Sequence, residues 1–154
     1  MTRLDDDTTL VLKRTFAASA EALFDAWSVQ AEWQAWIGPE GIDCEVPLME
    51  PRVGGRFRVV MPMAGGRDIR VAGEFKAIER PVRLVFTWGW EGDAGRQSLI
   101  TITLAATAGG TELTLRQEGL GTPRNRDDHV RGWTETMNKL ERYLTAPSAK
   151  GTAR

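Results

Sequence analysis

The stretch TPRNRDDHVRGWTETMNKLERYL, residues 122–144, decides the architecture of this chain. Its apolar residues Val130, Trp133, Met137, Leu140 and Leu144 recur at intervals of 3, 4, 3 and 4, the spacing that gathers side chains on one face of an α-helix. Glu135, Asn138, Lys139, Glu141 and Arg142 point elsewhere. Thr122 and Pro123 supply an N-cap and a first helical residue, and Asp127 and Asp128 fall in the early turns, where the helix dipole favours negative charge. The stretch therefore predicts one long amphipathic helix. Beyond it, residues 147–154 are small and polar and are expected to form a loosely ordered tail, leaving 1–146 as a single domain.

Upstream, from Ile42 to Glu118, the pattern changes to short alternating runs separated by Pro or Gly. Ile42 to Leu48, Arg56 to Met63, Ile69 to Glu79, a run through Leu84, Phe86, Trp88 and Trp90, Gln97 to Ala105 and Thr111 to Glu118 each read as a strand. Gly109-Gly110 joins the last two as a hairpin. Ahead of them, Thr8 to Phe16 reads as a first strand. Ala20, Leu23, Phe24 and Trp27 then form a helical stripe with Ser19 as its cap. Trp33, Trp36 and Ile37 repeat the spacing until Gly38-Pro39 stops it.

The order is strand, two short helices, about six further antiparallel strands, and one long helix: an α+β fold. A helix is ~10 Å across, whereas six or seven strands at ~4.8 Å spacing make a sheet roughly 30 Å wide. One helix cannot fill the concave face of such a sheet. Bulky side chains must occupy the remainder, or a cavity is left.

Composition narrows the function. The 154 residues carry 20 Lys and Arg against 21 Asp and Glu, one His, one Cys and six Trp. A structural zinc site takes four Cys or His ligands and a catalytic one usually takes three, so no metal is expected, and no cofactor either. A lone Cys44 forms no internal disulfide. The balanced charge gives no general attraction to nucleic acid or to a membrane surface. Asp5, Asp6 and Asp7 stand where a signal peptide would be basic, so a cytoplasmic location is expected. There is no nucleophile elbow, P-loop or dinucleotide fingerprint.

Several local strings, in this order, resemble a known family. They are Glu21-Ala22-Leu23-Phe24-Asp25-Ala26-Trp27, Trp33 with Trp36-Ile37-Gly38-Pro39, Gly54-Gly55-Arg56-Phe57, Arg83-Leu84-Val85-Phe86-Thr87-Trp88, Thr111-Glu112-Leu113-Thr114-Leu115, and His129 with Gly132-Trp133, Leu140 and Tyr143-Leu144. Together they resemble the SRPBCC (START-like, Bet v 1-like) superfamily, and within it the AHSA1-like group related to the C-terminal domain of the activator of Hsp90 ATPase. The resemblance implies a helix-grip fold, with a curved antiparallel sheet wrapped around the long helix, and a cavity that holds apolar small molecules. Where relatives often carry a His, this chain has Gln117, which removes an acid-base group. Its length leaves no room for the separate N-terminal domain that engages the chaperone in the eukaryotic activator, which argues against a chaperone-stimulating role.

Phe86 and Trp88 share the apolar face of one strand and Trp133 and Met137 the stripe of the long helix, so in this fold they look toward one space. Met61 adds an adaptable thioether. Trp36 reads either as a gate over that space or as a plug holding the short helices to the sheet. These six residues, Trp36, Met61, Phe86, Trp88, Trp133 and Met137, are the expected ligand-binding set; each reads equally as core. Trp90 is expected at the cavity mouth. His129 is the only imidazole and the obvious general base, although Asp127 and Asp128 beside it favour a surface ion cluster. Glu45, Glu74, Glu91 and Glu118 form no pair, so no catalytic residue is assigned. Arg52, Arg56, Arg58, Arg67 and Arg70 read as a solvated outer sheet surface. The leading expectation is a binder of a small apolar molecule. A cyclase- or hydrolase-like enzyme using the same cavity, and a protein-interaction or co-chaperone-like module, are the alternatives; a homodimer is left open.

Overall fold

The computed structural model describes residues 8–92 and 97–146; the expected tail at 147–154 lies outside them. Seven strands form one antiparallel sheet: β1 (Leu10–Phe16), β2 (Glu45–Met49), β3 (Arg56–Pro62), β4 (Asp68–Glu79), β5 (Arg83–Trp90), β6 (Ser98–Thr107) and β7 (Gly110–Glu118). Their spatial order is β1-β7-β6-β5-β4-β3-β2. Two short helices, α1 (Ala20–Ser28) and α2 (Gln30–Trp36), follow β1, and α3 (Pro123–Thr145) closes the chain. This is the α+β order of elements read from the sequence, in the helix-grip arrangement that the resemblance implies.

The local chemistry that starts and stops these elements is the chemistry the sequence carries. The Ser19 hydroxyl accepts the Ala22 N–H at 3.0 Å, and the Thr122 hydroxyl accepts the Asn125 N–H at 3.0 Å. Each satisfies a donor that the first helical turn leaves free. Helix α2 ends where Ile37 turns extended and Gly38 takes φ 98°. No other residue fits at Gly38, because a Cβ there would run into the Cys44 sulfur.

Strand β3 ends at Pro62, one residue short of Met63. Register places the ends of neighbouring strands together: Met61 faces Ile69, Val71 faces Trp90, and Trp88 faces Ser98. Further along the same strands Phe57 faces Gly73, Phe75 faces Phe86, and Phe86 faces Ile100. The concave face thus has two ends, and the second is filled. Phe86 lies within ring-contact distance of Trp27, Trp33, Phe57 and Phe75, with centroids 5.5–6.4 Å apart. Aromatic pairs at such separations contribute about 0.5–1.5 kcal/mol each beyond their buried area. The five arginines of the basic stretch are all exposed.

Candidate functional site

The other end of the concave face is not filled. Between the ends of β3, β4 and β5 and the first half of α3 lies a cleft with two adjoining lobes. The apolar lobe has a volume of about 280 Å³ and is walled by Met61, Ile69, Val71, Trp88 and Trp133, with Ile37 and Pro39 at one side. The second lobe, about 600 Å³, is more polar and includes Gln97, Ser98 and the Gly119–Thr122 connection into α3. Val71, Trp88, Trp90, Asn125 and His129 line both lobes and mark their junction.

Three of the six residues singled out from sequence stand at this cleft: Met61, Trp88 and Trp133. Trp90 is half-exposed at the junction of the lobes. The other three lie elsewhere. Trp36 is fully buried, donates its indole N–H to the Ala26 carbonyl at 3.0 Å and packs edge-on against Trp27 at 4.8 Å. It is a plug between α1 and α2 and not a gate. Phe86 is enclosed by the aromatic cluster at the filled end, because the rings of α1 and α2 occupy the space it faces. Met137 lies one helical turn beyond Trp133 and borders a small hollow of about 50 Å³ beside β1 and β7.

Trp133 is held edge-first. Its indole N–H donates to the Gln117 side-chain oxygen at 2.8 Å, the Gln117 amide donates to the Ser98 hydroxyl at 2.8 Å, and that hydroxyl donates to the Trp88 carbonyl at 2.8 Å. Gln117 is completely buried. In a dry interior each of these groups would cost about 1–3 kcal/mol if left unmatched, so the chain of bonds locks the Trp133 ring and ties it through Gln117 and Ser98 to the β5 backbone at Trp88. A carboxamide serves here because it donates and accepts at once.

The side wall is tied to α3 by polar contacts. The Lys139 ammonium donates to the carbonyls of Ile37, Pro39 and Ile42 at 3.2, 3.3 and 2.7 Å. The Thr136 hydroxyl lies 3.0 Å from the Gly38 carbonyl and 2.8 Å from that of Gly132. Arg142 grips Glu40 with two bonds of 3.0 and 2.6 Å, and the Arg142 guanidinium holds the Glu40 carboxyl below its usual pKa. Cys44, under this loop, is buried, and burial pushes its thiol up to about 11; it is a packing residue and not a nucleophile.

Further residues of α3 complete the site, among them His129, the imidazole singled out from the sequence. Asn125, His129, Gly132 and Thr136 line the apolar lobe at intervals of 4, 3 and 4, a second stripe beside the core stripe. A Cβ built on Gly132 would meet nothing within 4 Å. His129 Nδ1 lies 2.9 Å from the Asn125 carbonyl. The neighbouring Asp127 and Asp128 pair with Arg126 and Arg131 at 3.0 and 2.8 Å, so the ion cluster exists while the imidazole lines the cleft. Among the described residues no group of three His, Cys, Asp or Glu could hold a metal ion, and no helix is long and apolar enough to cross a membrane.

A family model described as "Activator of Hsp90 ATPase homolog 1-like protein" matches residues 17–145. No curated protein matches the chain. Solved structures match closely in shape. The AHSA1 protein from Silicibacter pomeroyi is 32% identical with a TM-score of 0.77, covering 86% of this chain and 94% of its own. A Rhodobacter sphaeroides protein is 30% identical, TM-score 0.78, covering 91% and 94%. Protein CV1439 from Chromobacterium violaceum is 27% identical, TM-score 0.80, covering 89% and 96%.

Proposed function

Because the chain belongs to the Activator of Hsp90 ATPase homolog 1-like family, whose SRPBCC-type fold commonly binds hydrophobic ligands, we propose that it holds a small apolar molecule in the cleft under the first half of α3. The observation that carries this reading is the apolar lobe itself. Trp88, Trp133, Met61, Ile69 and Val71 present apolar surface to a space of about 280 Å³, near the lower end of the ~300–1,000 Å³ typical of small-molecule sites. Trp133 is fixed by its hydrogen bond to Gln117 and packs against Trp88 with ring centroids 5.3 Å apart, so the two rings form one preformed wall. A site formed in advance spares a ligand the cost of ordering it.

Gly132 supplies the test. Leucine there keeps the helix, since glycine costs about 1 kcal/mol relative to alanine in a helix interior, and it places a side chain where nothing now stands. Tryptophan emission and melting temperature are recorded during titration with 2-methoxynaphthalene, a bicyclic apolar probe, and with a panel of larger hydrophobes. Binding to the wild type and its loss in Gly132→Leu, with the fold intact, is the expected result. If no compound alters emission or melting temperature in the wild type, the reading fails.

A further inference from the structure

We infer that the molecule held in the cleft is an apolar alcohol or phenol, whose hydroxyl donates its proton to Nε2 of His129. The inference rests on the ligand-binding reading above and specifies the ligand's one polar group.

It follows from an account of the polar groups around the apolar lobe. The Thr136 hydroxyl is directed at the carbonyls of Gly38 and Gly132, and the Trp133 N–H at Gln117. The Asn125 amide donates to the Leu120 carbonyl at 2.9 Å, and the Asp128 carboxylate is paired with Arg131. His129 offers the lobe an acceptor. Its Nδ1 is 2.9 Å from the Asn125 carbonyl oxygen, and since a carbonyl can only accept, Nδ1 carries the proton. In the neutral form of a ring so held, the lone pair is on Nε2. That nitrogen lies on the ring edge away from the helix backbone and has no protein partner among the described residues, on a side chain that lines both lobes.

An apolar ligand settling against Trp88 and Trp133 shuts Nε2 off from solvent. A ligand without a donor leaves that lone pair unmatched, and one with a hydroxyl replaces the lost bond. A site that hydrogen-bonds a ligand group discriminates against analogues lacking it. A carboxylate meets an acceptor with an acceptor, and Asp128 stands beside the same lobe, so a fatty acid or an aromatic acid is disfavoured.

Calorimetric titration at pH 8 compares 2-naphthol, 2-methoxynaphthalene and 2-naphthoate on the wild type and on His129→Phe, which keeps a flat ring but removes the lone pair. One net hydrogen bond corresponds to a preference for naphthol over its ether of about tenfold. In His129→Phe the two compounds are expected to bind within about twofold of each other. Equal binding of alcohol and ether to the wild type, survival of the preference in His129→Phe, or tightest binding by naphthoate overturns the inference while leaving the ligand-binding reading standing. If none of the three compounds binds, that reading fails and the inference with it. Should His129→Phe not fold, the wild-type ratio of alcohol to ether decides alone.

Discussion

The two ends of the concave sheet face share strands and share a helix, yet one is solid and the other open. At the solid end Phe57, Phe75 and Phe86 meet Trp27, Trp33 and Trp36 from the short helices. At the open end Met61, Val71 and Trp88 face the cleft under the first half of α3, and Trp88 reaches back to Trp33, Phe57 and Phe86 with ring centroids 6.5, 6.1 and 6.5 Å away. Polar bookkeeping differs too. The indole N–H groups of Trp27 and Trp33 are buried without a hydrogen-bond partner, whereas the indole N–H of Trp133 is matched by a buried glutamine. The solid end holds two unmatched donors within close aromatic packing, while at the open end Trp133 combines packing against Trp88 with a hydrogen bond to Gln117. A sheet wider than one helix is thus completed by two short helices over part of its face, and the uncovered part is the site.

The contrast can be broken most severely at the solid end. Phe86→Ala removes a fully buried ring that touches Trp27, Trp33, Phe57 and Phe75 and is expected to cost about 3–5 kcal/mol, measured by urea unfolding. Two glycines then probe the ends directly. A Cβ at Gly73 would run into the Phe57 ring and the Thr87 carbonyl, so Gly73→Ala is expected to destabilise by about 1–3 kcal/mol. A Cβ at Gly132 meets open space, so Gly132→Ala is expected to stabilise by about 1 kcal/mol. Denaturation of both variants checks the sign; equal signs would mean that the two ends are packed alike.

The smallest effect concerns the cleft wall. Glu40 has its pKa lowered by its bond to Arg142, so the pair stabilises the folded state above the ordinary carboxylate range, and this is lost as pH falls through the depressed value. Arg142→Gln is expected to lower the melting temperature slightly at pH 7 and to leave it unchanged well below pH 4, where both proteins carry a neutral Glu40. A difference that persists in acid would assign the role of Arg142 to packing.

Much of this was legible in the chain. Periodicity placed α3, and Ser19, Thr122, Pro123 and Gly38-Pro39 marked helix ends that the structure keeps, because capping and proline effects act over a few residues. The joint order of short strings resembled the family to which the chain belongs. The site was legible only in part. Met61, Trp88 and Trp133 stand at the cleft, while Trp36, Phe86 and Met137 do not, and hydrophobicity could not separate the two groups because cavity wall and core use the same side chains. The stripe of Asn125, His129, Gly132 and Thr136 was readable as a second helical period, but its polar and small residues resembled a solvated flank.

Sequence by itself determined the elements, their order, their caps and the inward face of each, since these follow from local sterics and a repeat of 2 or 3.6 residues. Only the tertiary structure decided which inward positions are covered. That depends on where α1 and α2 come to rest across the sheet and on the register that sets Trp88 opposite Ser98 and Phe86 opposite Ile100. Coverage is a property of pairs distant in the chain, and it separates Phe86 in the core from Trp88, two residues further on, at the edge of a cleft.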